Sequence, residues 1–259
     1  MIRNKLKNSI KLVYFSFLIL LITSCATKED VVYFQNAKNF ETIVDTDTFE
    51  AKLKIGDIVS IYVSTMDLEV TRPYNIIKST GAAGGVLIDY LIDSDGNIDF
   101  PVLGKVKLIG LSVDEAKELF KKKFSDGDLL RDPVIIIRIL NFRVSVSGEV
   151  RRPGVYTISG ERISILEALS LAGDLTIKGK RDNVLVIRDF NGSKTYTRVD
   201  LTSKEIFNSP VYYLTQNDVI YVEPNNSAIS SASGDTRIGT IISITSFVLT
   251  TALIFVTRK

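Results

Sequence analysis

The sequence predicts an α+β protein built from two small strand-and-helix modules set between two apolar end segments. Three observations carry that reading. β-branched runs of strand length recur through the middle of the 259-residue chain, as in residues 58–63 (IVSIYV) and 134–139 (VIIIRI). Two Ser-x-x-Glu capping boxes, at Ser112 and Ser164, each open a short helical pattern. The two ends carry long uncharged runs that the middle lacks.

At the N-terminus Arg3, Lys5, Lys7 and Lys11 precede the apolar residues 12–22, and Thr23-Ser24-Cys25 follows. A basic stretch, a short apolar stretch and small residues before a cut form a secretory signal over residues 1–24. As a helix the apolar part reaches only about 17 Å, too short for a ~30 Å hydrocarbon core. Ile22-Thr23-Ser24-Cys25 resembles a bacterial lipobox, which makes Cys25 the expected lipidation site and first mature residue. An ordinary signal peptide with an incidental cysteine is the alternative. Residues 25–50 read as a polar tether interrupted by Val31-Val32-Tyr33-Phe34.

In the first module, residues 86–92 and 98–102 flank Asp95-Gly96, which predicts a two-residue hairpin turn. An EF-hand reading of Asp93-x-Asp95-Gly96 fails, because the further oxygen ligand and the closing glutamate are missing. Ser112 opens a helix with Ala116, Leu119, Phe120 and Phe124 on its apolar face, and Lys121-Lys122-Lys123 suit its negative pole. Asp132-Pro133 closes that element. The glycines between 81 and 85 precede a strand and not a helix, so they read as a loop and not as a phosphate cradle.

The second module starts with the alternating Val144-Ser145-Val146-Ser147. Arg152-Pro153-Gly154-Val155 predicts a type II turn. Ser164 opens a short helix through Ile165, Leu166, Leu169 and Leu171, with Gly173 as its C′ residue. Strands at 184–187, 196–199 and 219–222 complete the unit. Residues 225–235 read as a flexible linker. Residues 236–259 read as a transmembrane helix, with 19 uncharged residues from 238 to 256, about 28 Å of helix. Gly239, Ser243, Ser246, Thr250 and Thr257 fall on one stripe of it, either for helix packing or facing a lumen.

Composition narrows the function. The chain has no histidine and one cysteine, which excludes imidazole acid–base catalysis, Ser-His or Cys-His nucleophiles, disulfides within the chain and Cys-cluster metal sites. No metal and no cofactor is expected. Cleavage before Cys25 removes four of 32 basic residues and none of 30 acidic ones, so no cationic field argues for nucleic acid.

The order Lys54-Ile55-Gly56-Asp57-Ile58, Asp95-Gly96-Asn97-Ile98, Phe100-Pro101-Val102-Leu103-Gly104-Lys105-Val106, Gly110-Leu111-Ser112 and Asp132-Pro133-Val134 resembles the bacterial polysaccharide export domain. Val146-Ser147-Gly148-Glu149-Val150, Pro153-Gly154-Val155-Tyr156 and Glu167-Ala168-Leu169 through Gly173 resemble the β-grasp-like SLBB domain that follows it in that family. The resemblance divides the chain into an export domain at 51–141 and an SLBB domain at 142–224. It implies an outer-membrane lipoprotein with periplasmic domains, whose copies form a homo-oligomeric ring for capsular polysaccharide or exopolysaccharide export. The implied partners are the polysaccharide chain, the membrane, further copies of the chain and an inner-membrane co-polymerase complex. Three departures stand out: a single SLBB unit, Ile55-Gly56-Asp57 in place of Pro-Gly-Asp, and Asp174 in place of a second glycine.

Three functions follow for testing. A passive export conduit needs no catalytic residue. A membrane-tethered binding or adaptor module would use the terminal helix only as an anchor. A glycan-cleaving enzyme would need two of Asp93, Asp95 and Asp99 about 5–9.5 Å apart across a cleft.

Overall fold

The computed structural model describes residues 31–39, 50–79, 85–190, 192–232 and 236–257. The first domain is organised on strand β1 (Ile58–Ser64), which pairs antiparallel with β7 (Val134–Ile139) on one side. On the other side it pairs antiparallel with β4 (Asp89–Leu91). Alternation along β1 and β7 sends Val59, Ile61, Val63, Ile135 and Ile137 inward, as the period of two requires. Helix α1 (Val113–Asp126) covers that face with Ala116, Phe120 and Phe124, all fully buried. Phe100 stands edge-on to Phe120 at 4.9 Å, and Tyr74 edge-on to Phe124 at 5.0 Å, the geometry that aromatic quadrupoles favour. The capping box forms as predicted: Glu115 N donates to Ser112 Oγ, and Ser112 N donates to the Glu115 carboxylate. The three-lysine run closes the helix, with Lys121 paired to Glu118 at 2.6 Å.

Asp95-Gly96 turns the chain, but it does not join a paired hairpin. Strand β4 pairs with β1, while β5 (Asn97–Phe100) pairs with β6 (Gly104–Lys107) in a separate ribbon. The reason is local. Asp93 Oδ1 accepts from the amides of Asp95 and Asn97, and Gly96 O accepts from Leu108 N and Ile109 N. These bonds redirect the chain away from β4. Two further short strands, β2 (Ile77–Ser79) and β3 (Gly85–Leu87), form a ribbon of their own.

The second domain is a five-stranded sheet. Strand β8 (Arg143–Gly148) pairs antiparallel with β9 (Gly154–Thr157) and parallel with β14 (Val219–Pro224). On the far side of β14 come β11 (Gly179–Phe190) and β12 (Ser193–Val199), both antiparallel. Helix α2 (Ile165–Leu171) packs Ile165, Ala168 and Leu169 into the core beside Val144, Val146, Val186 and Ile220. A two-residue ribbon of β10 (Ile163–Ser164) and β13 (Tyr213–Leu214) leads into it. The second capping box also forms, with Glu167 N on Ser164 Oγ and Ser164 N on the Glu167 carboxylate.

Two turn expectations change. Gly154 does not take the positive φ that a type II turn needs, and it opens β9 instead. Arg151 N and Arg152 N donate to Asp174 O and Ala172 O, which holds the preceding residues against the end of α2. Asp174, standing where a second glycine is commoner, adopts φ +67°. Its own carboxylate accepts from Leu175 N at 2.7 Å, the local bond that lets aspartate tolerate a left-handed backbone.

The segment read as a linker holds a helix, α3 (Asn226–Ala232), because Asn225 Oδ1 accepts from Ala228 N and caps it. Helix α4 (Thr236–Thr257) follows, 22 residues long. Among the described residues no helix is long and apolar enough to cross a membrane. The transmembrane expectation for 236–259 is therefore not met by what is described. The side chains of 236–238, 248, 249 and 252–257 lie outside the description.

Candidate functional site

The two domains meet on one lysine. Lys54 precedes β1, and its ammonium crosses to the second domain, donating to Thr215 Oγ1 at 2.9 Å, Asp189 O at 3.0 Å and Gln216 O at 3.2 Å. Burial lowers its pKa, against the pull of Asp218, Asp57 and Asp189. Below it the second domain is braced by Asp218, fully buried, which accepts from Arg188 Nη2 at 2.8 Å and from Thr215 N and Oγ1. Asn141, between the domains, donates to Gly56 O and accepts from Ile58 N, while Gln216 Nε2 donates to Asn141 O. The junction is thus a polar network, beside which Ile139 packs against the cores of both domains.

Asp57 faces the same turn. It is 1% exposed, and its Oδ2 accepts from Lys54 N at 2.8 Å, while Oδ1 is buried without a partner. Burial raises its carboxyl above the usual 3.8, against the Lys54 amide and ammonium. A carboxyl raised on folding adds stability below its unfolded pKa and loses it as pH rises through the folded value. Asp57→Asn keeps an acceptor for Lys54 N and removes the buried charge. It should therefore gain stability relative to wild type at neutral pH, with the gap closing in acid. Urea midpoints across that pH range check this; a constant gap would remove Asp57 from the titration.

The tether docks on the second domain. Phe34 N and Gln35 N donate to Leu201 O and Thr202 O, Phe34 stacks on Phe207 at 5.3 Å, and Tyr33 Oη donates to Asp174 Oδ1 at 2.6 Å. Asn36 bonds Ser203 Oγ and Lys204 N. Residues 33–36 are thus fastened to the second domain before the chain enters the first.

The expected lipidation site, Cys25, lies outside the described residues. Gly239, Ser243, Ser246 and Thr250 do share a face of α4, and all four are exposed, as are Ile241, Ile242, Ile244 and Phe247 around them. Thr257 ends the helix, its side chain outside the description. Ser243 Oγ donates to Gly239 O and Thr250 Oγ1 to Ser246 O, at 2.8 and 2.7 Å. Thr245 and Thr251, off the stripe, do the same one turn back. Each of these four hydroxyl protons is satisfied inside the helix, and the oxygen keeps its capacity to accept.

Nothing assembles around the hairpin aspartates. Asp93 spends its carboxylate on the turn amides, and among the described residues no group of acidic side chains has the spacing of a metal site. An open groove between α1 and β7 carries Lys117, Lys121 and Arg131, but Lys117 and Lys121 are already paired to Asp114 and Glu118.

Two family models match, and they divide the chain at the Asn141 bridge. The family described as "Polysaccharide biosynthesis/export protein" matches residues 45–140, and an SLBB domain matches residues 142–222. Residues 45–140 belong to the polysaccharide export family. The chain is similar to the "EPS I polysaccharide export outer membrane protein EpsA" of Ralstonia solanacearum, 24% identical over 209 residues, covering 74% of this chain and 54% of the relative. It is also similar to the protein of that name from Ralstonia nicotianae, 27% identical over 158 residues, covering 56% of this chain and 40% of the relative. The chain spans about half the length of the curated relatives it matches, or less. In the export domain, the Lys54-Ile55-Gly56-Asp57 motif supplies the junction lysine and the buried aspartate. Sequence pattern alone assigns neither residue a role.

Proposed function

We propose that this chain is a subunit of an oligomeric outer-membrane translocon that exports capsular polysaccharide or exopolysaccharide as a passive conduit. The observation that carries the reading is the export-domain match followed directly by the SLBB match, together with relatives named as polysaccharide export outer membrane proteins. Cys25 would carry the lipid, both domains would lie in the periplasm, and helix α4 would line the ring with copies of itself. A ring of helices satisfies its own backbone hydrogen bonds, as any membrane-crossing structure must. Side-by-side packing also relaxes the apolarity each helix needs, since only one face meets lipid. The lone pairs of Ser243, Ser246 and Thr250 would offer weak, exchangeable acceptors to passing sugar hydroxyls, and a conduit must bind weakly enough to release. The driving force would come from synthesis and from the inner-membrane co-polymerase complex.

Replacing Ser246 and Thr250 together by leucine should cut polymer export while ring assembly persists. Extracellular polymer and particle images of the same variant measure the two, and unchanged export would sink the lumen assignment. A membrane-tethered binding or adaptor module is the second reading, favoured by the stripe hydroxyls of Ser243 and Thr250 being bonded back within their own helix. Single-particle imaging of the detergent-extracted lipoprotein separates them: closed rings with a helical collar support the conduit, and a stable monomer supports the adaptor.

A further inference from the structure

Both end segments of the chain meet the second domain on one loop, residues 174–181, which runs from the end of α2 into β11. Tyr33 holds one flank through its hydroxyl on Asp174. The Arg181 guanidinium lies 5.7 Å from the Tyr33 ring centre and donates to Thr176 O and Gly179 O, which ties the inside of the loop to the tether. Asn225 holds the other flank: its amide N donates to Lys178 O at 2.7 Å and its side chain to Ile177 O at 3.3 Å. Between the two grips Ile177 is 69% exposed and Lys178 is exposed. Ile229, one helical turn along α3 from Asn225, is 53% exposed.

Chain length limits how far this loop can stand from a lipid on Cys25. A fully extended chain covers at most about 3.6 Å per residue, so the eight steps from Cys25 to Tyr33 keep Tyr33 within roughly 29 Å of the anchor. The first domain has no such constraint, because the tether is fastened to the second domain first. On the other flank, α3 carries the chain from Asn225 toward α4.

We propose that this loop is a membrane-contact surface of the second domain. Ile177 enters the interfacial layer of the bilayer, Lys178 meets the phosphates of the headgroups, and Ile229 lies beside them. The proposal rests on the reading of Cys25 as the lipid anchor. One aliphatic side chain and one lysine bind a bilayer weakly on their own. The tether converts that contact into an intramolecular one at high effective concentration, and two membrane signals hold where one does not. The contact would set the tilt of the second domain and so the direction in which α4 leaves it.

Acylation consumes the thiol of the sole cysteine, so an introduced cysteine can be labelled alone. Full-length lipoprotein carrying Ile177→Cys, Ile229→Cys or, on the first domain, Asp126→Cys would be labelled with NBD. Each would then be reconstituted into phosphatidylethanolamine–phosphatidylglycerol vesicles containing doxyl-labelled lipid. NBD at 177 and 229 should shift to the blue and be quenched by the doxyl lipid, while NBD at 126 reports water. Lys178→Glu should weaken the quenching at 177. Vesicle flotation reads the anchor separately. Flotation without lipid quenching at 177 overturns the membrane contact and leaves the anchor standing. A blue shift without lipid quenching assigns the tip to a second copy of the chain and overturns it equally, and failure to float overturns both readings. Quenching at 177 that Lys178→Glu leaves unchanged overturns the headgroup role of Lys178.

Discussion

Asp218→Ala is expected to cost the second domain about 3–5 kcal/mol, the penalty for removing one partner of a buried ion pair. Asp218 is fully buried and serves Arg188 Nε, Arg188 Nη2, Thr215 N and Thr215 Oγ1 together. Its loss leaves the Arg188 guanidinium, whose side chain is 16% exposed, with only Pro210 O and Tyr213 O and no counter-charge, and leaves the Thr215 amide without an acceptor. The damage should also reach the first domain, because Thr215 Oγ1 is a Lys54 acceptor. Asp218→Asn keeps an acceptor and loses only the charge, so it should cost less. A lower urea midpoint with an unchanged slope would measure the effect. A loss under about 1 kcal/mol for the alanine variant would show that the pair is offset by its own desolvation.

Gly148→Ala should be comparably severe, at about 3 kcal/mol or more, because two penalties fall on one atom. The residue sits at φ +88°, a left-handed conformation that costs any L side chain about 1–2 kcal/mol. A Cβ there would also stand 2.0 Å from Val222 O, a backbone atom of the neighbouring central strand that cannot swing aside. Gly104 provides the control, since its φ is +67° and a Cβ would meet nothing within 4 Å. Gly104→Ala should therefore show the conformational penalty alone. Thermal unfolding of the two variants side by side separates strain from collision. Equal shifts would mean that the β8–β14 pair gives way to admit the methyl.

What the sequence disclosed was set by how local the cause is. Both capping boxes were legible because Ser112–Glu115 and Ser164–Glu167 are complete within four residues. The alternation at 144–147 placed β8 correctly for the same reason. The Asp95-Gly96 signal gave the turn and not the pairing, since the partners of β4 and β5 depend on contacts far along the chain. Arg152-Pro153-Gly154 misled because its backbone is dictated by Asp174 O and Ala172 O, some 20 residues away. Lys54 stands inside the Lys54-Ile55-Gly56-Asp57 motif, yet its acceptors lie 135 to 162 residues downstream, and no periodicity carries that information. Tyr33 and Phe34 were visible only as an apolar break in a polar stretch. The hydroxyl stripe was readable as a pattern, and its back-bonding to the preceding turn is a property of the helix.

Strand β14 is the last strand of the second domain, yet it lies between β11 and β8 in the middle of the sheet. The sheet's other four strands therefore wait for residues 219–224 before it can close. For a chain delivered across a membrane from its N-terminus, this sets an order of assembly. The first domain has its full strand set once residue 139 has emerged. The second holds open a slot flanked by the unpaired edges of β8 and β11 until almost the whole chain has followed. During that interval the nascent polypeptide is exposed to edge-to-edge association and to proteases. A stop codon anywhere before 219 would leave a permanently open sheet, whereas one just after Pro224 would leave a closed one.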